Sequence, residues 1–279
     1  MKTLDGKIVR DFISRKIQLE LKKLKTKPKL VIIQVGNDSR SSIYVKQKKI
    51  FGENIGFEVE YIQLSNKISE NELISNIESL NSNKYVHGII IQLPLPKNLN
   101  KYKVTEAISY EKDVDGMNSK NIKSLLAGSL DDFITATTKG ILSLLDFYKI
   151  QIDGKKVVIV GRSLLVGRPT ALAFLNRNAT VTICHSRTKE LKEEIKGADI
   201  AIIALGKPQF INKSYVRKGQ VIIDVGITKV KDQILGDVDY KSVSPIIRAI
   251  TPVPYGIGPM TVVSLFQNVL LAYKRQSKI

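Results

Sequence analysis

Val157–Pro169, VVIVGRSLLVGRP, decides the fold of this 279-residue chain. Val157, Val158, Ile159 and Val160 form a continuous apolar run, as expected of a parallel strand covered on both faces. Gly161 ends the run. Pro169 then stands near the first position of a helix, RPTALAFLNRN, where its missing N–H is tolerated. Strand, glycine loop and helix let backbone N–H groups approach a pyrophosphate at a helix N-terminus. Gly161 and Gly167 are six residues apart, so this is only part of the G-x-G-x-x-G fingerprint.

The same rhythm continues downstream. ATVTIC reads as the next strand, LKEEIKGA as a short helix, and DIAIIALG and QVIIDVG as further strands. ATVTIC runs into His185-Ser186-Arg187, where an NAD enzyme usually carries Asp or Glu for the ribose 2′-hydroxyl. Ser186, Arg187 and Arg162 suit a 2′-phosphate instead, through charge-assisted hydrogen bonds. The expectation is NADP rather than NAD; the plainer reading is a solvated strand-end loop.

Upstream there is a second series. KLVIIQVG (29–36) and FEVEYIQL (57–64) read as strands around a helix over 41–56 that ends at Gly56. SENELISNIESLNSN is an amphipathic helix, and VHGIIIQLPLP (86–96) is a strand stopped by two prolines. Strands alternating with helices imply parallel sheets with right-handed crossovers. The fold class is therefore α/β with two domains: an N-terminal parallel α/β domain and a Rossmann-like domain. Residues 116–154 read as helices and loops between the two series. Ligands of such sheets lie beyond the carboxyl ends of the strands, here Gln92, Gly161, Arg162, Ser163, His185, Ser186, Gly206 and Gly226.

Composition narrows the function classes. No apolar run reaches the roughly 18 residues of a membrane span, and MKTLDGKIVRDF has no signal-peptide apolar core, so no membrane partner is expected. Cys184 is the single cysteine, which excludes an intramolecular disulfide and fits a reducing cytoplasm. The net charge is +18, from 44 Lys and Arg against 26 Asp and Glu. That excess is dispersed along the chain and Trp is absent, which favours a solvated basic surface and anionic small ligands over nucleic acid. With two histidines and one cysteine far apart, no transition-metal site is expected. His87, inside the start of a strand, reads as a satisfied structural residue, and His185 as positional.

In Ile43–Ile50, IYVKQKKI, Tyr44 and Lys48 share one helical face, one turn apart. Tyr-x-x-x-Lys also serves short-chain dehydrogenases, but there it follows the dinucleotide loop; here it precedes the loop by more than one hundred residues. Alone, the pair reads as a half-packed tyrosine and one more surface lysine.

Three further stretches change that balance: IIIQLPLP (89–96), KDVDGMNSKN (112–121) and ITPVPYGIGPMTV (250–262). With Tyr44-x-x-x-Lys48 and GRSLLVGRP they closely resemble the bifunctional methylenetetrahydrofolate dehydrogenase/methenyltetrahydrofolate cyclohydrolase family, in order and over nearly the whole chain. The resemblance implies oxidation of 5,10-methylenetetrahydrofolate with NADP, then hydrolysis to 10-formyltetrahydrofolate. It makes Lys48 the general acid/base, with Tyr44 orienting folate and Lys48, Gln92 tuning the amine, and Asp115 holding the pterin ring beside the weaker candidate Asp113. It assigns Gly161, Arg162, Ser163, Ser186 and the backbone of Ile227 to the nucleotide, and Tyr44, Asp115, Tyr255 and Gly256 to the substrate. It also implies a homodimer through the nucleotide domain. The expected division is residues 1–135 with 250–279 for folate and 136–249 for NADP.

The chemistry agrees with this assignment. Oxidising a methylene bridge between two nitrogens needs a hydride acceptor and no metal, because a nitrogen lone pair stabilises the cation. Hydrolysing the cation needs water and a base, and a lysine beside a cationic substrate and an apolar wall has its pKa lowered toward that task.

The sequence departs from the family pattern in two places. Thr135-Ala-Thr-Thr138 stands where the family usually reads Pro-Cys-Thr-Pro, and the lost prolines are expected to loosen a loop. Pro254-Tyr255-Gly256 stands for Pro-Gly-Gly; a positive φ at Tyr255 would cost roughly 1–2 kcal/mol, and its ring would either stack on folate or obstruct it. The alternative reading is thus a weakened or repurposed relative that keeps NADP binding but binds folate poorly.

Overall fold

The computed structural model describes residues 1–278, apart from the side chains of Ser39 and Arg40. In chain order the elements are β1 (Lys2–Thr3), α1 (Gly6–Leu21), β2 (Lys29–Val35), α2 (Ser39–Ile55), β3 (Glu58–Leu64), α3 (Glu70–Ser82) and β4 (Gly88–Ile91). Next come α4 (Lys101–Glu106), α5 (Ser119–Leu126), α6 (Ala136–Phe147), β5 (Lys156–Val160), α7 (Gly167–Leu175), β6 (Thr180–Cys184), α8 (Leu191–Gly197) and β7 (Ile200–Ile203). The chain closes with β8 (Val221–Asp224), the hairpin strands β9 (Thr228–Val230) and β10 (Gln233–Leu235), α9 (Tyr240–Val243), β11 (Ala249–Ile250) and α10 (Ile257–Gln276). No helix among the described residues is long and apolar enough to cross a membrane.

The chain divides into two compact units. One comprises residues 13–124, 131–136 and those from 264 onward; the other comprises 1–12, 125–130 and 137–263.

The first unit is built on a three-stranded parallel sheet ordered β3-β2-β4, with Leu30 opposite both Val59 and Gly88. The central β2 is buried from Leu30 to Val35, as its unbroken apolar run requires. Leu73 and Ile77 of α3 cover it. Local signals fix the helices: the Asp38 carboxylate accepts the Ser41 N–H at 2.8 Å to start α2, and Gly56 ends it at φ 107°. Ser69 and Glu72 form a capping box on α3. Gly52 leaves room on α2 for the Phe266 ring, which a Cβ there would meet at 2.2 Å.

The second unit carries a six-stranded sheet ordered β1-β11-β8-β7-β5-β6, parallel throughout. From β5 the chain runs first to β6 on one side, then to β7, β8 and β11 on the other. The order reverses between β5 and β7, which is where doubly wound sheets open a ligand crevice.

The seams differ from the expected 1–135, 136–249 and 250–279. Residues 1–12 and 250–263 belong to the six-stranded unit. The reason is backbone pairing: Lys2 and Thr3 pair with Ala249 and Ile250, which pair with Val221 and Ile222. Most of the Thr135–Thr138 stretch, read above as a loop, is helical. Ala136 opens α6, Thr138 is fully buried, and its hydroxyl lies 2.9 Å from that of Thr170.

Candidate active site

In the three-stranded unit, Lys48 projects from the middle of α2 and Gln92 follows the carboxyl end of β4. The Lys48 Nζ donates to Gln92 Oε1 at 3.0 Å. Gln92 Nε2 donates in turn to the Leu93 carbonyl at 2.8 Å, just before the cis Leu93–Pro94 peptide. The amide is therefore held with its oxygen toward the lysine. Both side chains are partly buried.

Asp115 lies near enough for its charge and that of Lys48 to act on each other. Removal from water lowers the Lys48 pKa, and the Asp115 charge works against that shift. Burial likewise raises the Asp115 carboxyl, with Lys48 opposing. Each group limits the other's departure from its ordinary value.

Asp115 sits in a turn built by its neighbours. Gly116 takes φ 68°, and a Cβ there would lie 2.8 Å from the Phe133 carbonyl. Asp113 is fully buried, and its Oδ2 accepts from the Asn118 N–H at 2.7 Å and from Asn121 Nδ2 at 2.8 Å. Burial raises the Asp113 carboxyl to about 7, against these two hydrogen bonds. Asp113 thus fastens the turn that carries Asp115. Tyr44, one turn before Lys48, is 46% exposed. His87 is structural: its Nδ1 accepts the Lys29 N–H at 3.0 Å and its ring packs on Tyr273.

The nucleotide candidates lie in the six-stranded unit at the carboxyl ends of β5, β6 and β8. Gly161 has φ 137°, and a Cβ on it would meet the Ala204 carbonyl oxygen at 2.4 Å; one on Gly167 would meet the Gly161 carbonyl oxygen at 2.2 Å. Both glycines let backbone pack on backbone where a Cβ would clash, which draws the loop tightly between β5 and the start of α7. That fits a dinucleotide pyrophosphate. Ser163 Oγ accepts from the Val166 and Gly167 N–H groups at 3.2 and 3.3 Å and so shapes the entry into α7. Arg162, Ser186 and Arg187 reach solvent at least in part, and Ile227 is exposed. His185 Nδ1 accepts the Arg187 N–H at 3.1 Å, a positional role.

Tyr255 and Gly256 belong to this second unit, and Lys48 to the first. Tyr255 has φ 83° and is 58% exposed. Its carbonyl accepts the Gly6 N–H at 2.8 Å, and Lys7 Nζ lies 6.0 Å from its ring centre. The left-handed backbone anticipated for a family glycine is thus carried by a tyrosine.

Sequence patterns alone do not single out Asp224 and Asp237, a buried carboxylate pair at the end of β8 and after β10. Their only signals are an Asp closing the apolar strand VIID and another in GDVD.

Comparison with known proteins places these features in company. Residues 4–115 match the tetrahydrofolate dehydrogenase/cyclohydrolase catalytic domain, and residues 135–277 match the NAD(P)-binding domain of the same family. The bifunctional protein FolD of Acholeplasma laidlawii is 46% identical over 275 residues, covering 99% of both chains. The crystal structure of the FolD methylenetetrahydrofolate dehydrogenase/cyclohydrolase from Campylobacter jejuni superposes with a TM-score of 0.97 at 38% identity, covering 99% of each chain. A FolD structure from Trypanosoma brucei, complexed with NADP cofactor and inhibitor, gives 0.94 at 30% identity and covers 99% of this chain and 98% of that one.

Proposed function

The chain belongs to the tetrahydrofolate dehydrogenase/cyclohydrolase family, and from that premise we propose that it oxidises 5,10-methylenetetrahydrofolate to 5,10-methenyltetrahydrofolate with NADP and then hydrolyses the product to 10-formyltetrahydrofolate. The observation that carries this reading is the Lys48–Gln92 hydrogen bond of 3.0 Å, with the Asp115 charge acting on the same amine.

Desolvation favours the neutral amine, whose lone pair takes a proton from the water that attacks the methenyl carbon. The Asp115 charge keeps the protonated form within reach, so Nζ can hold and return that proton. Gln92 accepts one N–H of Lys48 and aims the amine without adding charge. Asp115 accepts hydrogen bonds from the aminopyrimidine edge of the pterin, and Tyr44 orients the folate on the same face of α2. Gly161, Arg162, Ser163, Ser186 and the backbone of Ile227 would hold NADP. When bound, the nicotinamide supplies the hydride acceptor.

The test is an absorbance assay with methylenetetrahydrofolate and NADP, repeated with NAD. NADPH formation and a methenyl band that decays faster than its uncatalysed hydrolysis support both activities. A lower KM for NAD than for NADP removes the NADP assignment. The positive φ and exposed ring of Tyr255 favour one second reading, a relative with weakened folate binding. NADP binding without folate turnover would favour it.

A homodimer formed through the nucleotide unit is supported by β6, an edge strand of the six-stranded sheet with Ile183 42% exposed, and by Leu175 on α7, 57% exposed. Light scattering should then report twice the 31.1 kDa chain mass; a monomer refutes the proposal. A cytoplasmic place of action is supported by the buried free thiol of Cys184.

A further inference from the structure

We infer that Asp237 is a positioning residue for the nicotinamide half of the dinucleotide site, acting through the backbone of the loops that follow β7 and β8. This rests on the NADP reading above.

The hairpin β9–β10 leaves the sheet at the carboxyl end of β8 and returns beside it. Its two stems each carry a carboxylate and a glycine. Asp224 and Gly226 lie on the outgoing stem, Gly236 and Asp237 on the returning one. A Cβ on Gly226 would meet the Asp237 carboxylate at 2.2–2.5 Å, and one on Gly236 would meet Asp224 Oδ2 at 2.0 Å. Each glycine leaves the room that the other stem's carboxylate fills.

Both carboxylates then bind backbone. Asp224 Oδ1 accepts from the Gly226 and Asp237 N–H groups, each at 3.0 Å, and its Oδ2 accepts the Val238 N–H at 2.9 Å. Asp224 thereby clasps the hairpin at its base. Asp237 reaches across to the next loop, where its Oδ2 accepts the Leu205 N–H at 2.6 Å and the Gly206 N–H at 2.9 Å. Ala204, just before that pair, is the residue whose carbonyl closes on Gly161. Asp237 is thus bonded to the loop after β7 and packed on the loop after β8, immediately before Ile227.

In a doubly wound sheet each half holds one mononucleotide, and the two halves meet at the reversal of strand order. The phosphate loop after β5 and the end of β6 form the adenosine half. The walls of the other half are the two loops that Asp237 holds. Asp237 is fully buried, so it acts through those loops.

The test compares Asp237→Ala with Asp237→Asn in the full-length protein. Alanine removes the acceptor for two N–H groups, so the KM for NADP should rise about tenfold, the size of one to two lost hydrogen bonds. NADPH affinity by fluorescence titration should fall in parallel. Cyclohydrolase activity, measured on methenyltetrahydrofolate without nucleotide, should stay within about twofold, since a group acting only on the nicotinamide wall leaves Lys48 untouched. Asparagine keeps an oxygen at the Oδ2 position and should restore NADP binding. Equal loss of both activities, or failure of asparagine to rescue, would make Asp237 a general brace and overturn the inference, as would an unchanged NADP KM in the alanine variant. A wild-type protein that binds NADPH but does not turn over folate refutes the proposed reaction and leaves the titration to decide on Asp237. One that does not bind NADPH overturns both.

Discussion

Lys48 Nζ and Gln92 Oε1 are 3.0 Å apart, and the amide cannot turn over without breaking its own bond to the Leu93 carbonyl. The lysine therefore always meets an acceptor. An ammonium and a neutral amine can both donate to it, so in the proposed mechanism this contact aims the group in both of its protonation states.

Replacing Lys48 with methionine should abolish cyclohydrolase activity. A side chain that moves a proton in the transition state contributes about 10²–10⁴-fold. Decay of the methenyl band is the readout, and wild-type decay in this variant would show that Lys48 is not the base.

Gln92→Glu places a negative charge where the neutral oxygen lies. It should raise the Lys48 pKa and move the acid limb of the cyclohydrolase pH profile upward by about one pH unit or more. Gln92→Met removes the acceptor without adding charge and should lower the rate without that upward move. Identical pH profiles for the two variants would refute the electrostatic account.

Arg162→Ala should raise the KM for NADP about tenfold and leave that for NAD unchanged, because the partner proposed for the guanidinium is the 2′-phosphate, which NAD lacks. A parallel rise for both nucleotides would place Arg162 on the shared pyrophosphate instead.

Tyr255→Gly should raise thermal stability slightly. Relief of the positive φ is worth roughly 1–2 kcal/mol, offset by about 0.5–1 kcal/mol of extra freedom in the unfolded chain. The same variant decides the role of the ring. A lower folate KM means the ring obstructs substrate, and a higher one means that it stacks on it.

Stability should fall with rising pH where Asp113 titrates. Its folded pKa of about 7 lies above the ordinary 3.8, so the folded state holds more protons between those values. The contribution is whole below about pH 4 and is lost as the pH rises through about 7, at roughly 1.4 kcal/mol for each tenfold difference in proton affinity between the folded and unfolded states. Asp113→Asn keeps an acceptor for Asn118 and Asn121 and should flatten that slope in urea titrations at pH 5 and 7. An unchanged slope would place the proton elsewhere.

Much of this was legible in the sequence because the signals are long or local. The runs KLVIIQVG and VVIVG became β2 and β5, and Gly56 became the left-handed cap of α2. What stayed hidden is short or distant. β1 and β11 are two residues each and have no period to read. Lys48 and Gln92 are 44 residues apart and only a family resemblance joined them. The Asp224 and Asp237 clasp depends on two glycines that leave space for carboxylates, a relation between stems that no linear pattern displays.

The pairing of Lys2 with Ala249 sets a timetable for synthesis. The outermost strand of the six-stranded sheet can find its neighbour only after residue 249 has left the ribosome. Until then β11 and β1 are both unplaced, and the three-stranded sheet, complete by Ile91, has long been available to form. Contacts of such sequence separation close slowly. The nucleotide unit should therefore resist protease only once residue 249 has emerged, although its first residues are the earliest to be made.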